Sequence, residues 1–580
     1  MFLRNRLVLI AGGLYFLLAI GHIPVDIFPH AFDKNAPVHF TTLMIISLIY
    51  GTYIFIYQNR FNIPVKVLAL IWGLVLAALF STLRSPDLIG SLTGDSGRFT
   101  GAVSLFCLLL VAIFHSQLEL ASIHKLVQLF VFTIFVVSIL GVFQHHKLIE
   151  LPGDVGVTGT LGNLDFFGAF VGTGFALFVY LFPSIPKWRR VLFSFFILME
   201  LYAVYLAGPL QAYVDIAIIL IALAILYFRE YFPSYELSLN KKTFFGTLAT
   251  VIWLEGIFLM PFLGTFIPVL GDDPQVKIRG QFWLAATRQF TSNPLSGVGP
   301  DQYGNFYEKY RTVASVQEHP TLLANDAHGA PAQTLATLGI VGTIAFILLL
   351  ALLVRSFCLL FERYPEDKFK YAAIGLYLFV FTTNAAVSPI TLPHKYIFWA
   401  LAGFIVGRAY INRGAAVPVK SKWMASTLIF TLLSPTIYVL VNFVPAQIDF
   451  LRANEKFVKN PNQSISIKYN NFLPCLIYYP NLARILNKQG EKELIIFTQD
   501  QISGNPNCTE AWINLAKISY NQGDLLVMKE VIYQLIKIAP SRGEVINLAA
   551  LYANKAGDKA LDDLVNKQLL KFNPGLVIVE

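Results

Sequence analysis

The chain has 580 residues, of which 56% are hydrophobic and only 14% are charged, and its mean hydropathy is +0.60. This composition excludes an ordinary soluble globular protein, because soluble domains carry about 25% charged residues. The net charge is +9, but the Lys and Arg residues do not form a basic stripe on one face of a soluble domain. The sequence therefore does not indicate nucleic-acid binding.

Runs of about 20 apolar residues, the length that crosses a hydrocarbon core, recur along the first 446 residues. They predict an all-α, polytopic membrane helix bundle of about 12–13 spans. Two short predicted spans, 101–115 and 395–411, are expected to tilt or re-enter. The thirteen expected helices lie near 5–22, 38–57, 66–83, 101–115, 125–143, 161–182, 190–207, 212–228, 243–268, 333–354, 371–388, 395–411 and 423–446.

Lys and Arg residues collect on one side of this predicted bundle, before the first span and in alternate loops after it. Cytoplasmic loops carry such an excess, so this side is expected to face the cytoplasm. With thirteen spans, the long loop at 269–332 and everything after residue 446 then lie outside.

The tail at 447–580 is more polar and is predicted to be a soluble domain, separate from a membrane domain at 1–446. Within the tail, the sequence 511–516 with Gly523-Asp524 is similar to 547–549 with Gly557-Asp558. Prolines also recur in the tail every 34 residues, at Pro506, Pro540 and Pro574. This pattern resembles tetratricopeptide repeats and predicts an α-solenoid that binds a partner or acceptor, or one that stabilises the membrane domain. A disulfide between the tail residues Cys475 and Cys508 is left open by the sequence.

The long loop concentrates residues that bind phosphates and sugars. Arg279 and Trp283 are spaced i, i+4 and share one face if the segment is helical. Arg offers a planar fork of donors to phosphate oxygens, and Trp stacks on sugar rings. An ordinary interfacial Arg–Trp pair is the alternative. Gly297 and Gly299 follow Asn293-Pro in a predicted tight turn, where glycine permits positive φ or a close backbone approach. A plain loop corner is the alternative.

His328, two residues after Asp326, is a candidate general base for an acceptor hydroxyl, with His319 as a competitor. Arg98 stands directly before a predicted helix. Asn163 opens another helix and either binds an anion or hydroxyl there or caps the helix. Because no zinc-binding or Walker motif occurs, the sequence predicts no metal and no cofactor.

Taken together, these segments resemble the bacterial family of O-antigen ligases, O-antigen polymerases and protein O-oligosaccharyltransferases. The resemblance covers most of 1–411 and is strongest at 279–342. The segments that carry it, in chain order, are Gly94-Asp-Ser-Gly-Arg98-Phe-Thr-Gly101, Gly159-Thr-Leu-Gly-Asn163, Arg279 with Trp283, Asn293-Pro-Leu-Ser-Gly297-Val-Gly299, and Ala327-His328-Gly with Gln333 and Gly339.

The resemblance implies a multi-pass enzyme of the bacterial cytoplasmic membrane, with no metal. It would transfer a glycan from an undecaprenyl-pyrophosphate carrier to a hydroxyl of lipid A core, a protein or another acceptor on the outer side. Arg279 would bind the pyrophosphate and His328 would position or deprotonate the acceptor. The remaining candidates would contact substrate: Arg98, Asn163, Trp283, Arg288, Gly297, Gly299 and Gln333.

The chain departs from the family pattern at three places. The hairpin at 207–212 has no cation where family members carry a functional Arg. Asn163-Leu-Asp165 replaces an Asn-Pro-Asn-like motif, and Thr337 replaces an acidic residue. Two interpretations follow: either Arg98, Arg84 or Arg288 supplies the missing charge, or the protein is divergent from the family or inactive.

Other classes of protein fit the same sequence. A polymerase of lipid-linked repeat units would use the same donor chemistry. A transporter or flippase of lipid-linked sugars would need cationic and polar residues throughout its spans, whereas here they gather at outside helix ends. A membrane-anchored scaffold would leave Arg279 and His328 without a role.

Overall fold

The computed structural model describes most of the chain. The described residues are 2–21, 35–57, 63–94, 98–151, 156–228, 238–263, 274–411, 419–460, 472, 475–487, 491–566 and 571–572. Within them every regular element is a helix, and no strand occurs. The all-α class expected from the composition is confirmed.

Among the described residues, ten α-helices precede the long loop and four follow it up to the tail. The first ten are α1 (Phe2–Ile20), α2 (Ala36–Ile56), α3 (Val65–Arg84), α4 (Leu88–Thr93), α5 (Ala102–His115), α6 (Leu120–His145), α7 (Leu164–Leu181), α8 (Arg190–Ala207), α9 (Leu210–Phe228) and α10 (Leu239–Leu263). The four later ones are α14 (Ala330–Arg363), α15 (Lys368–Val387), α16 (Leu392–Tyr410) and α17 (Val419–Lys459).

Each of the thirteen predicted spans coincides with a helix, to the extent that its residues are described. Among the described residues, seven helical segments are long and apolar enough to cross a membrane. They belong to α2, α3, α6, α7, α8, α14 and α17. A multi-pass membrane protein is therefore supported, and the number of spans and their orientation remain predictions.

The chain divides into two compact units. Unit 1 comprises Met1–Leu76, Val103–Ile257 and Ile344–Leu440, and unit 2 comprises Ala77–Ala102, Phe258–Thr343 and Val441–Glu580. Unit 2 thus joins the long loop and the tail, which the sequence assigned to separate domains. The predicted division at residue 446 remains a prediction.

In unit 1, α7 is largely buried and packs against α6, α8, α9 and α15. Glycine allows its close approach to α9, since a Cβ on Gly172 would lie 2.9 Å from Ala212 Cα. A buried polar cluster joins α7, α9 and α15: Asn384 Nδ2 donates to Asp215 Oδ2 at 2.7 Å and to Thr173 Oγ1 at 2.8 Å. Such hydrogen bonds link helices inside apolar bundles.

In unit 2, the described part of the segment predicted as a long loop contains three α-helices, α11 (Pro274–Ser292), α12 (Tyr303–Tyr310) and α13 (Val313–Glu318). They were not predicted, because their mixed polar sequence has no continuous apolar run. Residues 269–273 of the predicted loop lie outside the described residues.

The tail forms α18 (Cys475–Asn487), α19 (Glu491–Gly504), α20 (Thr509–Gln522), α21 (Leu525–Ile538), α22 (Gly543–Ala556) and α23 (Lys559–Leu564). The Gly-Asp pairs of the sequence repeat make the turns. Gly523 ends α20 at a left-handed φ of 71°, and the Asp524 side chain accepts a hydrogen bond from Val527 N to cap α21. Gly557 and Asp558 do the same for α22 and α23.

The last four tail helices share one apolar core that includes Ala516, Ile532 and Ala549. A disulfide joins Cys475 to Cys508, with 5.7 Å between their Cα atoms. The sequence had left this bond open. The helical content fits the repeat pattern, and the solenoid arrangement remains a prediction.

Candidate functional site

One face of helix α11 is buried. Its Phe282, Trp283 and Ala286 lie in a core that also contains Tyr303 and Tyr307 of α12. Trp283 is only 1% exposed. The position of its indole gives it a packing role, and sugar stacking by Trp283 remains a prediction.

The two arginines of α11 point to different surroundings. Arg279 is half-buried, and its Nη1 donates to Gln275 O at 3.2 Å. Arg288 lies nine residues further, about two and a half turns, and therefore on the opposite face. Its Nη1 donates to the carbonyl oxygens of Tyr310 and Arg311 at 3.3 and 3.4 Å, at the end of α12.

The Asn293–Gly299 turn docks on a break in α14. At Gly339, φ is 62° and ψ is −165°, which interrupts the helix. The turn supplies partners for the freed backbone groups: Ile340 N donates to Pro294 O at 2.8 Å, and Val298 N donates to Ala336 O at 2.9 Å. An interrupted helix in a membrane protein requires such replacement bonds.

Gly297 and Gly299 are required by this docking. Both have positive φ, 66° and 117°, and Gly299 N donates to Thr337 O at 3.1 Å. A Cβ on Gly297 would collide with the Thr337 carbonyl. The structure gives both glycines a packing role, and substrate contact by them remains a prediction.

The segment 326–328 before α14 is held by its own side chains. His328 N donates to Asp326 Oδ1 at 2.7 Å, and Ala327 N donates to Gln333 Oε1 at 2.9 Å. Gln333 was expected to contact substrate, and the structure shows its side chain fixing the backbone next to His328.

Arg98 joins this segment from a distant part of the sequence. Its Nη1 lies 3.5 Å from Asp326 Oδ2, and the two side chains are only 7% and 12% exposed. A buried guanidinium needs a compensating carboxylate, because its removal from water costs several kcal/mol. Of the three cations proposed to replace the hairpin arginine, Arg98 is the one shown in ionic contact with the His328 segment.

The imidazole of His328 is oriented as a base. Its Nδ1 lies 2.9 Å from Asp326 O, and since a carbonyl oxygen only accepts, Nδ1 donates. The neutral ring then carries its lone pair on Nε2. Burial lowers the pKa of His328, the charges of Arg98 and Arg279 lower it further, and Asp326 opposes them. The neutral form is favoured.

Strained backbone gathers around these residues. Among the described residues, four that are not glycine have a positive φ, and three of them are Phe99, Asp301 and His328. Asp301 Oδ1 accepts from Thr100 Oγ1 at 2.7 Å and so ties the segment after Arg98 in place. Each such conformation costs about 1–3 kcal/mol and persists where the surroundings enforce it, often at functional sites.

Sequence reasoning missed the residues that brace this cluster. Arg311 Nη2 donates to Ser315 O at 3.0 Å and to His319 O at 2.7 Å, while its Nη1 donates to Leu322 O at 3.0 Å. His319 contributes to this arrangement through its backbone carbonyl, which accepts one of these hydrogen bonds. No motif marked Arg311, because contacts with backbone carbonyls leave no pattern in the sequence.

Asn163 belongs to unit 1, where it caps α7. Its Oδ1 accepts from Asp165 N at 2.8 Å and from Phe166 N at 3.4 Å. The capping alternative is therefore observed, and substrate contact by Asn163 remains a prediction. In the motif before Arg98, residues 95–97 lie outside the described residues.

The sequence was also compared with known proteins. No protein-family model matches the chain. No curated protein matches it either. The resemblance to O-antigen ligases therefore rests on the sequence motifs alone.

Proposed function

We propose that this chain transfers a glycan from an undecaprenyl-pyrophosphate carrier to an acceptor hydroxyl at the outer side of a bacterial cytoplasmic membrane. The observation that carries this proposal is the convergence of Arg98, Asp326 and His328. An imidazole oriented as a base is held beside a buried guanidinium, within electrostatic range of Arg279.

The reaction assigns a role to each group. The acceptor hydroxyl gives its proton to His328 Nε2, and its oxygen forms a bond to the anomeric carbon. The bond from that carbon to the carrier phosphate breaks, and the pyrophosphate leaves with the electron pair. Arg279 stabilises the departing negative charge, as fixed cations do in sites that exclude water. Attack opposite the leaving group inverts the anomeric configuration, and no step requires a metal.

The tail disulfide supports the outside placement of unit 2. Disulfides form in oxidising compartments such as the bacterial periplasm and are rare in the cytosol. The Cys475–Cys508 bond is thus consistent with the orientation inferred from Lys and Arg. These two arguments are independent, since one rests on charge and the other on redox chemistry.

Incubation of the purified chain with a lipid-linked oligosaccharide and candidate acceptors tests the proposal. Transfer predicts an acceptor–glycan product of inverted configuration and free undecaprenyl pyrophosphate. Lipid-linked products of increasing length would instead identify a polymerase. Movement of the donor across vesicles without a new bond would identify a flippase. Comparison of lipopolysaccharide and secreted proteins from cells with and without the gene identifies the acceptor.

A further inference from the structure

Helix α12 connects the site to the tail. Its Tyr303 and Tyr307 are buried in the same core as Phe282 and Trp283 of α11. Glu308, the next residue, faces the tail, where Ser541 Oγ donates to Glu308 O at 2.5 Å. Tail helix α21 also packs against α12. One short helix therefore contacts both the core of the site and the tail.

Arg542 is the centre of the contact with the tail. Its Nη2 lies 2.7 Å from Glu510 Oε1, and its Nη1 lies 3.8 Å from Glu308 Oε1. Glu544 adds a third carboxylate at 3.4 Å. The Arg542 side chain is only 17% exposed. Lys cannot reproduce this arrangement, because the planar guanidinium presents several donors in fixed directions.

The tail residues in this contact are themselves anchored. Arg542 directly precedes α22, and Glu510 lies in the first turn of α20. Cys508, directly before α20, is bonded to Cys475. A second contact joins the tail to the loop, since Gln317 Nε2 donates to Lys571 O at 2.9 Å.

On its other side, α12 sets the position of groups next to His328. Tyr303 OH donates to Phe282 O at 2.9 Å, and the Phe282 ring centre lies 5.0 Å from that of His328. Arg311, which ends α12, binds Leu322 O and so restrains the segment that leads to Asp326. A shift of α12 would therefore move Phe282, whose ring contacts the His328 ring.

We propose that the tail is a fixed part of the catalytic unit, and that Arg542 is a positioning residue that acts on His328 through Glu308 and α12. The term catalytic unit rests on the proposed function, whereas the mechanical link between Arg542 and the His328 segment does not. A tail that serves only to capture partners would not need this buried contact.

Hydrogen exchange on the full chain in detergent micelles or nanodiscs tests the link without reference to activity. Arg542→Ala and Glu308→Gln are compared with Lys529→Ala, which removes a tail ion pair with Asp558, a carboxylate that is not among the partners of Arg542. We expect amides of 303–328 to exchange at least tenfold faster in Arg542→Ala and faster in Glu308→Gln, with no change in Lys529→Ala. Unchanged exchange there in both Arg542→Ala and Glu308→Gln would overturn the inference.

Kinetics provide the second readout. If the proposed function is correct, Arg542→Ala lowers kcat about tenfold with little change in KM for the donor, and Arg542→Lys recovers only part of the loss. The acidic limb of the pH profile also moves towards 6.5, as His328 becomes less buried. An unchanged kcat in a variant with faster exchange would overturn the positioning role.

The two experiments distinguish failure of the proposed function from failure of the link between Arg542 and α12. If the wild type transfers no glycan, the proposed function fails, and hydrogen exchange still decides the link between Arg542 and α12. If Arg542→Ala does not elute as a single folded species, Glu308→Gln decides the same question at pH 8. Burial raises the pKa of Glu308 to about 7, so at pH 8 the carboxylate is charged and the substitution removes that charge while keeping the side-chain size.

Discussion

Arg98 and Asp326, from distant parts of the sequence, meet in a buried ion pair with 3.5 Å between nitrogen and oxygen. Asp326 does more than neutralise Arg98. Its Oδ1 accepts from His328 N, and its carbonyl oxygen accepts from His328 Nδ1. One residue thus fixes the cation, the backbone and the orientation of the base.

We expect Asp326→Ala to destabilise unit 2 by about 3–5 kcal/mol, because it leaves Arg98 buried without its carboxylate. The measurement is the free energy of unfolding in detergent, followed by tryptophan fluorescence. Lys517→Ala is the control, since it breaks a more exposed ion pair and should change stability little. Equal effects of the two variants would contradict the structural role of Asp326.

The pH dependence of transfer follows from His328. Its pKa is lowered by burial and by Arg98 and Arg279, so the neutral base persists as the pH falls through 6.5. We expect the acidic limb of kcat/KM to lie below pH 6.5 and to move upwards in Arg279→Gln, which removes one positive charge. An acidic limb above 6.5 in the wild type would exclude His328 as the base.

Gly297 provides a test of the turn on α14. In Gly297→Ala, a side chain at positive φ would also meet the Thr337 carbonyl, so the turn must shift. Gly208 is a matched control, because it has a φ of 76° and a Cβ added to it would meet no atom within 4 Å. We expect Gly208→Ala to lower the free energy of unfolding only by the strain of a left-handed backbone, about 1–2 kcal/mol. Gly297→Ala should lower it clearly more. Thermal unfolding measures both.

Trp283 distinguishes packing from sugar recognition. Because the indole is buried in the core of unit 2, Trp283→Ala should lower the free energy of unfolding by about 3–5 kcal/mol. Trp283→Phe should restore much of that loss and most of the activity. A large rise in donor KM in Trp283→Phe, with normal stability, would instead indicate stacking on substrate.

The sequence predicted the apolar helices well, since a span of about 20 apolar residues has few alternatives to a helix. The repeat in the tail likewise located Gly523 and Asp524, which form a helix end and the next cap. Both are local signals. The helices of the long loop were missed, because tertiary packing rather than apolar periodicity stabilises them.

The candidate site was predicted in part. Arg98, Arg279 and His328 were named from their residue types and neighbours, whereas the ion pair of Arg98 with Asp326 joins segments remote in sequence. The roles of Gln333 and Arg288 in holding backbone carbonyls or amides were not foreseeable, because such bonds leave no motif. The contact between Glu308 and Arg542 was missed for the same reason.

The most direct test of the central claim is the rate of glycan transfer from a purified lipid-linked donor by the full chain and two variants. We expect Arg279→Ala and His328→Ala each to lower the rate by at least a hundredfold while the protein remains folded, because they remove charge stabilisation and the base. Lys309→Ala, which removes an exposed cation of the same unit, should retain the wild-type rate. Wild-type rates in both Arg279→Ala and His328→Ala would contradict the account.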